Sequence, residues 1–242
     1  MVLKPEHKKS NSMDKTYCFL PYFFATFFVV VIACFYQSYF SEFPDFQNVI
    51  SPIGNVPITI TTVTHFHATM VVLWLLLLII QPFLVVNKKV ELHRQLGKVS
   101  YLLVALMVFS FVLIINQTHS REKNIPVFAA NLFDFPVFMV FYGLAIYYRK
   151  KTAYHSRFMI MSIIPFINPA LARVSVPGLP VQLGLWVLLF GIEFFNRKMY
   201  KPYLIGFGYY IFNLAVVVYL LLANPALLEK LRTMIWGDIT VE

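Results

Sequence analysis

The chain has 242 residues, of which 59% are hydrophobic and 13% are charged, and its formal net charge is +9. Soluble domains average about 45–50% apolar and about 25% charged residues, so this composition excludes a water-soluble fold and a disordered chain. Only two cysteines occur, Cys18 and Cys34, so a secreted disulfide scaffold is excluded and both are interpreted as packing residues. The composition predicts an integral membrane protein.

Seven stretches are long and apolar enough to be transmembrane helices, which need roughly 20 such residues. In chain order they are Tyr17–Phe40, Thr62–Val86, Val99–Asn116, Pro126–Tyr148, Phe158–Arg173, Pro180–Phe195 and Tyr203–Ala223. Pro165 and Pro169 lie inside the fifth stretch and predict a kink, because proline removes a backbone hydrogen bond from a helix. The first stretch is too long for the apolar part of a signal peptide, so we expect it to remain as an anchor.

The basic residues alternate between the two sides of the predicted membrane domain. Of 20 Lys and Arg residues, 15 fall in the N-terminal segment and around the turns that follow the second, fourth and sixth spans. Because Lys and Arg concentrate in cytoplasmic loops, this pattern places the N-terminus in the cytoplasm and the C-terminus outside. The location expected from it is a cytoplasmic membrane, in contact with lipid, and charge scattered over short loops argues against nucleic-acid binding.

The predicted organisation has three parts. A basic cytoplasmic segment covers residues 1–16, an all-α bundle of seven transmembrane helices covers 17–223, and an extracytoplasmic tail covers 224–242. In the tail, Asn224 is a favourable N-cap, and Pro225 suits the first position of a helix. Apolar residues then recur at helical spacing, so the tail is predicted to form a short amphipathic helix on the outer membrane surface.

Polar residues of the predicted spans gather at the outer end. His65 and His67 open the second span, and His119 follows the third, while Asp134 and Arg173 fall at a similar height on the fourth and fifth. The two charges predict an ion pair. Imidazole and carboxylate together ligate Zn, Cu or Fe, so His65, His67, His119 and Asp134 form a predicted metal site. Because His65 and His67 are about 200° apart on a helix, both reach one ion only if the start of the span is unwound.

Haem b is the alternative cofactor, because membrane helices also bind haem through histidine. His67 and His119 are the predicted pair at the outer end, and His93 and His155 are the predicted pair at the inner end. Two such sites would form a path for electrons across the bilayer.

The inner histidines share a sequence pattern. Residues 88–93 and 150–155 both read Lys-Lys-x-x-apolar-His, as two related helical hairpins or two convergent basic turns would. An alternative role for these histidines is to hold phospholipid headgroups together with Arg94 and Arg157. Glu193 precedes Arg197 by four residues, the favourable order for a local helical ion pair.

Two of these turns carry a resemblance. The turn Leu92-His93-Arg94-Gln95-Leu96-Gly97 and the turn His155-Ser156-Arg157-Phe158-Met159, within residues 60–175, are similar to those of bacterial multi-pass membrane families of unknown function. Those families carry a Leu-His-Arg-x-x-Gly turn and a later His-x-Arg-x-Met turn. They are loosely similar to families linked to haem-containing membrane cytochromes or to the assembly of haem–copper oxidases. The resemblance implies a bacterial inner-membrane protein with functional histidines.

The leading functional hypothesis is a membrane protein that binds a metal or haem through its outer histidines, in respiratory electron transfer or oxidase assembly. A second hypothesis is a non-enzymatic membrane subunit or scaffold that binds lipid or a partner protein, such as a respiratory or other membrane complex. A third is a metal-dependent membrane lipid hydrolase, in which zinc polarises water. Whether the protein is an enzyme stays open at this point.

Overall fold

The structure is a computed structural model that describes residues 18–46, 49, 59–119, 125–196 and 201–236. The described part is all-α, as the sequence predicts. Its α-helices are α1 (Leu20–Phe35), α2 (Thr62–Val86), α3 (Val90–His119), α4 (Ile125–Tyr147), α5 (Thr152–Met161), α6 (Ile167–Ala172), α7 (Gly178–Phe195), α8 (Lys201–Leu222) and α9 (Pro225–Trp236). Short 3₁₀ turns lie at Phe40–Glu42 and Ile164–Phe166.

Five of the described helices are long and apolar enough to cross a membrane, namely α2, α3, α4, α7 and α8. The longest, α3, has 30 residues, or about 45 Å at 1.5 Å per residue, against a hydrocarbon core of about 30 Å. Large apolar side chains such as Phe109, Val187 and Phe212 are exposed on these helices, as a surface in contact with lipid requires. The chain is therefore a multi-pass membrane protein with at least five candidate passes.

The first and fifth predicted spans differ from single long helices. Helix α1 has 16 residues and ends at Phe35, short of the predicted Phe40. The fifth span is broken: α5 ends at Met161, a 3₁₀ turn surrounds Pro165, and α6 begins at Ile167. The kink predicted from the prolines is thus present as a break, because Pro165 cannot donate to the carbonyl one turn earlier.

Neighbouring helices pack as antiparallel hairpins around one core. Helix α2 packs against α1 and α3, and α4 packs against α5 and α8. Trp74 of α2 is fully buried and meets the edges of Phe138 and Tyr142 of α4, with ring centroids 5.7 and 5.5 Å apart. The aromatic contacts hold the first hairpin against the second.

We call the end of the bundle that carries the Lys88–Lys89 and Lys150–Lys151 turns the basic end, and the other end the opposite end. The α2–α3 turn lies at the basic end, and there Lys88 adopts a left-handed conformation with φ of 61°. At the opposite end the predicted tail helix is present as α9. The Asn224 Oδ1 atom accepts a hydrogen bond from the Leu227 N–H at 3.3 Å, which confirms the predicted N-cap.

Candidate functional site

Helix α2 begins as a regular, capped helix, and this decides the geometry of the first two predicted metal ligands. The Thr61 side chain accepts from the Thr64 N–H, and Thr64 in turn accepts from the Thr61 N–H, forming a capping box. Residues from Thr62 onward are helical, so the start of the span is not unwound. His65 and His67 consequently leave the helix in different directions and meet different partners.

The two histidines are held in separate surroundings. The His65 Nδ1 atom lies 2.7 Å from the hydroxyl of Tyr39, which belongs to the segment after α1. The His67 Nδ1 atom lies 3.0 Å from the hydroxyl of Ser110 on α3. Ser110 uses its own proton to bond the Met107 carbonyl oxygen at 2.7 Å, so it accepts from His67.

The predicted outer metal set is not brought together by the described side chains. His119 is the last residue of α3, and its side chain lies outside the described part of the structure, so its role stays a prediction. Among the residues whose placement is described, no three His, Cys, Asp or Glu side chains lie close enough to hold a metal ion. The capped start of α2 is the physical reason that His65 and His67 do not share an ion.

Asp134 instead lies at the centre of a buried amide network inside the bundle. Both of its carboxylate oxygens accept from the Asn168 amide nitrogen at 3.1 Å, and Oδ1 lies 3.5 Å from the Gln182 amide nitrogen. The Gln182 amide also donates to the Ile164 carbonyl at 3.0 Å and accepts from the Tyr210 hydroxyl at 2.7 Å. Side chains from α6 and α7 thus meet at the carboxylate of α4, and Tyr210 of α8 joins the network through Gln182.

The predicted ion pair between Asp134 and Arg173 is wrong. The Arg173 guanidinium lies over the ring of Phe35, 5.2 Å from its centroid, while Asn168 occupies the level of Asp134. The prediction measured height along an unbroken fifth helix at 1.5 Å per residue. Because the chain is broken around Pro165, that measure does not apply, and the residue that meets Asp134 lies five positions before Arg173.

Gly178 makes room for this network. A β-carbon at Gly178 would overlap the Asn168 side-chain oxygen and lie 2.9 Å from the Asn168 Cα atom, whereas a β-carbon at Gly184 meets nothing within 4 Å. We expect Gly178→Ala to lower the free energy of unfolding by about 1–3 kcal/mol, because a backbone atom has to move. Gly184→Ala in the same helix is the matched control and should not destabilise. Equal unfolding midpoints for both variants in a denaturant titration would contradict the prediction.

The two inner histidines do meet, at the basic end of the bundle. The rings of His93, near the start of α3, and His155, in α5, have centroids 6.4 Å apart and lie nearly perpendicular, at 86°. The His155 Nδ1 atom donates to the Ala145 carbonyl oxygen at 2.8 Å. The His93 Nδ1 atom lies 3.2 Å from the Gln81 carbonyl oxygen, and the Gln81 side-chain amide packs against the same atom. We call His93 and His155 the inner histidine pair.

The histidines of the shared Lys-Lys-x-x-apolar-His pattern make the same kind of contact in both hairpins. Each histidine follows a basic turn and reaches back across it to a carbonyl of the preceding helix, Gln81 of α2 or Ala145 of α4. In both rings the Nδ1 edge is engaged, and within the described part of the chain neither Nε2 atom has a hydrogen-bond partner. Two hairpins with the same six-residue pattern therefore deliver two imidazoles to one place.

A buried ion pair lies in the same region and was missed by the sequence reasoning. The Glu193 Oε1 atom accepts from Arg157 Nε at 2.9 Å and from Nη2 at 2.6 Å, and the two side chains are 2% and 1% exposed. The Arg157 guanidinium also lies 5.8 Å from the Tyr203 ring centroid. Arg157 is thus buried between α5, α7 and α8 and does not face lipid headgroups as the sequence had suggested. Glu193 pairs with Arg157 across helices. Arg197, the partner predicted for Glu193, lies outside the described residues.

Comparison with known proteins places the chain in no family. No family model, no curated protein and no solved structure matches it. The function is therefore inferred from the contacts of the side chains described above.

Proposed function

We propose that this multi-pass membrane protein binds a transition metal ion, or the iron of a haem, through the inner histidine pair, and acts in electron transfer or oxidase assembly. The observation that carries the proposal is the approach of the His93 and His155 rings to 6.4 Å between centroids. Two metal–nitrogen bonds of about 2.0–2.1 Å, added to the two ring radii, place imidazole centroids roughly 6 Å apart when the two nitrogens lie on opposite sides of the ion. The separation of the His93 and His155 rings is close to that value.

The surrounding groups support this role by orienting the rings. Ligating histidines almost always bond their other ring nitrogen to a carbonyl or carboxylate, which fixes the tautomer and the ring plane. For His155 the Ala145 carbonyl requires a proton on Nδ1, which leaves the Nε2 lone pair for the ion. For His93 the Gln81 carbonyl would accept a proton from Nδ1, whereas the Gln81 side-chain amide would donate to the same atom, and only the first arrangement leaves the Nε2 lone pair for the ion. When bound, a Cu or Fe ion would supply one-electron redox chemistry and Zn would supply Lewis acidity.

We further propose seven passes, with α1 as the first and the broken α5–α6 segment as the fifth. The support is the distribution of charge, since 15 of the 20 Lys and Arg residues fall on the side of the basic end. In that orientation the N-terminus and the inner histidine pair face the cytoplasm. The proposed site then lies on the side opposite to the one predicted for the outer metal set.

The test is metal and haem analysis of the full chain purified in mild detergent. We expect about one ion or haem per chain, and His93→Ala and His155→Ala should each lower that content at least tenfold by removing one of two ligands. A Soret band in the absorption spectrum identifies haem, and elemental analysis identifies a metal without haem.

His67→Ala is the matched control, because it removes a partly buried histidine of α2 that bonds Ser110. Unfolding midpoints of all three variants in metal-free buffer check that the loss does not come from misfolding. Unchanged content in the His93→Ala, His155→Ala double variant, or loss only in His67→Ala, would refute the proposal. The second result would favour the outer histidines instead.

A further inference from the structure

A cavity of about 580 Å³ lies at the opposite end of the bundle, between the segment after α1 and the start of α2. Five of its six lining residues carry rings of aromatic or imidazole type and the sixth is a proline. They are Tyr39, Phe40, Phe43, Pro44, Phe46 and His65. We call this space the aromatic cavity. Its location and residues are distinct from those of the inner histidine pair.

The walls of the aromatic cavity are made of rings set at steep angles to one another. Phe46 is central: its ring centroid is 5.3 Å from Tyr39, 6.0 Å from Phe43 and 4.6 Å from His65, the last two in edge-to-face contact. A ring face carries the negative side of the aromatic quadrupole, so a wall built of rings can attract a cation.

Two polar atoms of the wall bond each other. The Tyr39 hydroxyl and the His65 Nδ1 atom are hydrogen-bonded at 2.7 Å, which also ties the segment after α1 to α2. A primary ammonium group or a phosphate needs several hydrogen-bond partners, whereas a quaternary ammonium needs none. The chemistry of the wall therefore favours a cation without N–H groups.

The charge of this part of the chain favours a cation as well. Residues 16–87 contain no Lys or Arg, although the whole chain carries 20 of them, and they contain two carboxylates, Glu42 and Asp45. Both acidic residues lie in the same short segment as the cavity rings.

We propose that the aromatic cavity binds a trimethylammonium group, either of free choline-type solutes or of a phosphatidylcholine-type headgroup. The attraction is a cation–π interaction with the faces of Tyr39, Phe43 and Phe46, strengthened by the net negative charge of the surrounding segment. The cavity volume accommodates the whole polar head of such a molecule. This site is independent of the proposed metal site and adds a binding activity to it.

The test uses the full chain in nanodiscs of phosphatidylglycerol, which has no trimethylammonium group, with radiolabelled choline as the probe in equilibrium dialysis. We expect saturable binding that tetramethylammonium displaces. The neutral isostere 3,3-dimethylbutan-1-ol, which has the shape of choline without its charge, should displace choline roughly tenfold less well. Equal displacement by the isostere, or the absence of saturable choline binding, would overturn the proposal.

Single substitutions in the wall test whether choline binds in the aromatic cavity. Phe46→Leu should weaken choline binding roughly tenfold because it removes the central ring face. Phe43→Leu should also weaken choline binding. Because Phe43 is the most exposed ring of the wall, this substitution should not disturb the fold. Phe212→Leu, on the exposed face of α8, is the matched control. Unchanged affinity in both Phe46→Leu and Phe43→Leu would place choline elsewhere and refute the assignment.

A second lipid composition separates the two sources of the ligand. If the headgroup of a lipid is the natural occupant, binding of free choline should be suppressed in nanodiscs of phosphatidylcholine. If a free solute is the occupant, the affinity should be the same in both kinds of disc. Either result is consistent with trimethylammonium recognition by the aromatic cavity and identifies its source.

Discussion

Glu193→Gln is expected to lower the free energy of unfolding by about 3–5 kcal/mol, because it removes one charge of a fully buried ion pair. Arg157 donates to the Glu193 carboxylate at 2.9 and 2.6 Å, and both side chains are almost inaccessible. A buried guanidinium that loses its carboxylate keeps the cost of desolvation without the attraction that offset it. The measurement is equilibrium unfolding in detergent micelles with a denaturing detergent as the titrant.

A surface ion pair of the same molecule provides the control. Arg94 and Glu91 are 3.7 Å apart on α3 and about 70% exposed, so Glu91→Gln should change stability by about 0–1 kcal/mol. Replacing both buried partners, with Arg157→Met and Glu193→Leu together, should recover most of the loss, because neither charge of the pair then remains. A Glu193→Gln variant no less stable than Glu91→Gln would contradict the role assigned to the buried pair.

Asn168→Leu is expected to lower the free energy of unfolding by about 1–3 kcal/mol, because the Asp134 carboxylate then loses its closest hydrogen-bond donor. The Asn168 amide contacts both oxygens of Asp134 at 3.1 Å, and the Gln182 amide, at 3.5 Å, is too distant to replace it. Ionisable groups at membrane depth are costly unless they are bonded, so the loss appears as reduced stability in micelles and in nanodiscs.

A double-mutant cycle isolates this interaction. In the Asp134→Leu variant, Asn168→Leu should lower the free energy of unfolding much less, because there is no carboxylate to lose its donor. Asn196→Leu, which removes an exposed amide bonded to the carbonyl of its own helix, is the matched control and should have little effect. Strictly additive effects of Asp134→Leu and Asn168→Leu would show that the amide and the carboxylate are not coupled.

Helix positions could be predicted from the sequence because hydrophobic length and charge are local properties. Helix α2 begins and ends at the residues predicted, Thr62 and Val86, where a threonine cap opens the helix and Asn87 ends it. The start of α3 was placed too late because Leu92–Lys98 is polar, yet these residues form its first turns. Asn224 and Pro225 also marked the start of α9 correctly.

The candidate site could be predicted only where a pattern repeats. The inner histidines shared a six-residue pattern, and in both hairpins the Nδ1 atom of that histidine faces a carbonyl of the preceding helix. The pairing of Arg157 with Glu193 spans 36 positions and depends on which helices are neighbours, which hydropathy does not encode. Asp134 and Asn168 were missed as partners because the break around Pro165 shifts the height of every later residue in that span.

The two histidines of the inner histidine pair belong to hairpins that are synthesised one after the other. His93 comes from the α2–α3 hairpin and His155 from the α4–α5 hairpin, so neither hairpin alone supplies both histidines of the proposed site. An ion that requires both rings can be retained only after the second hairpin has left the translocon and docked on the first. Occupancy would then mark chains whose two halves have assembled, and would stabilise them against turnover by mass action.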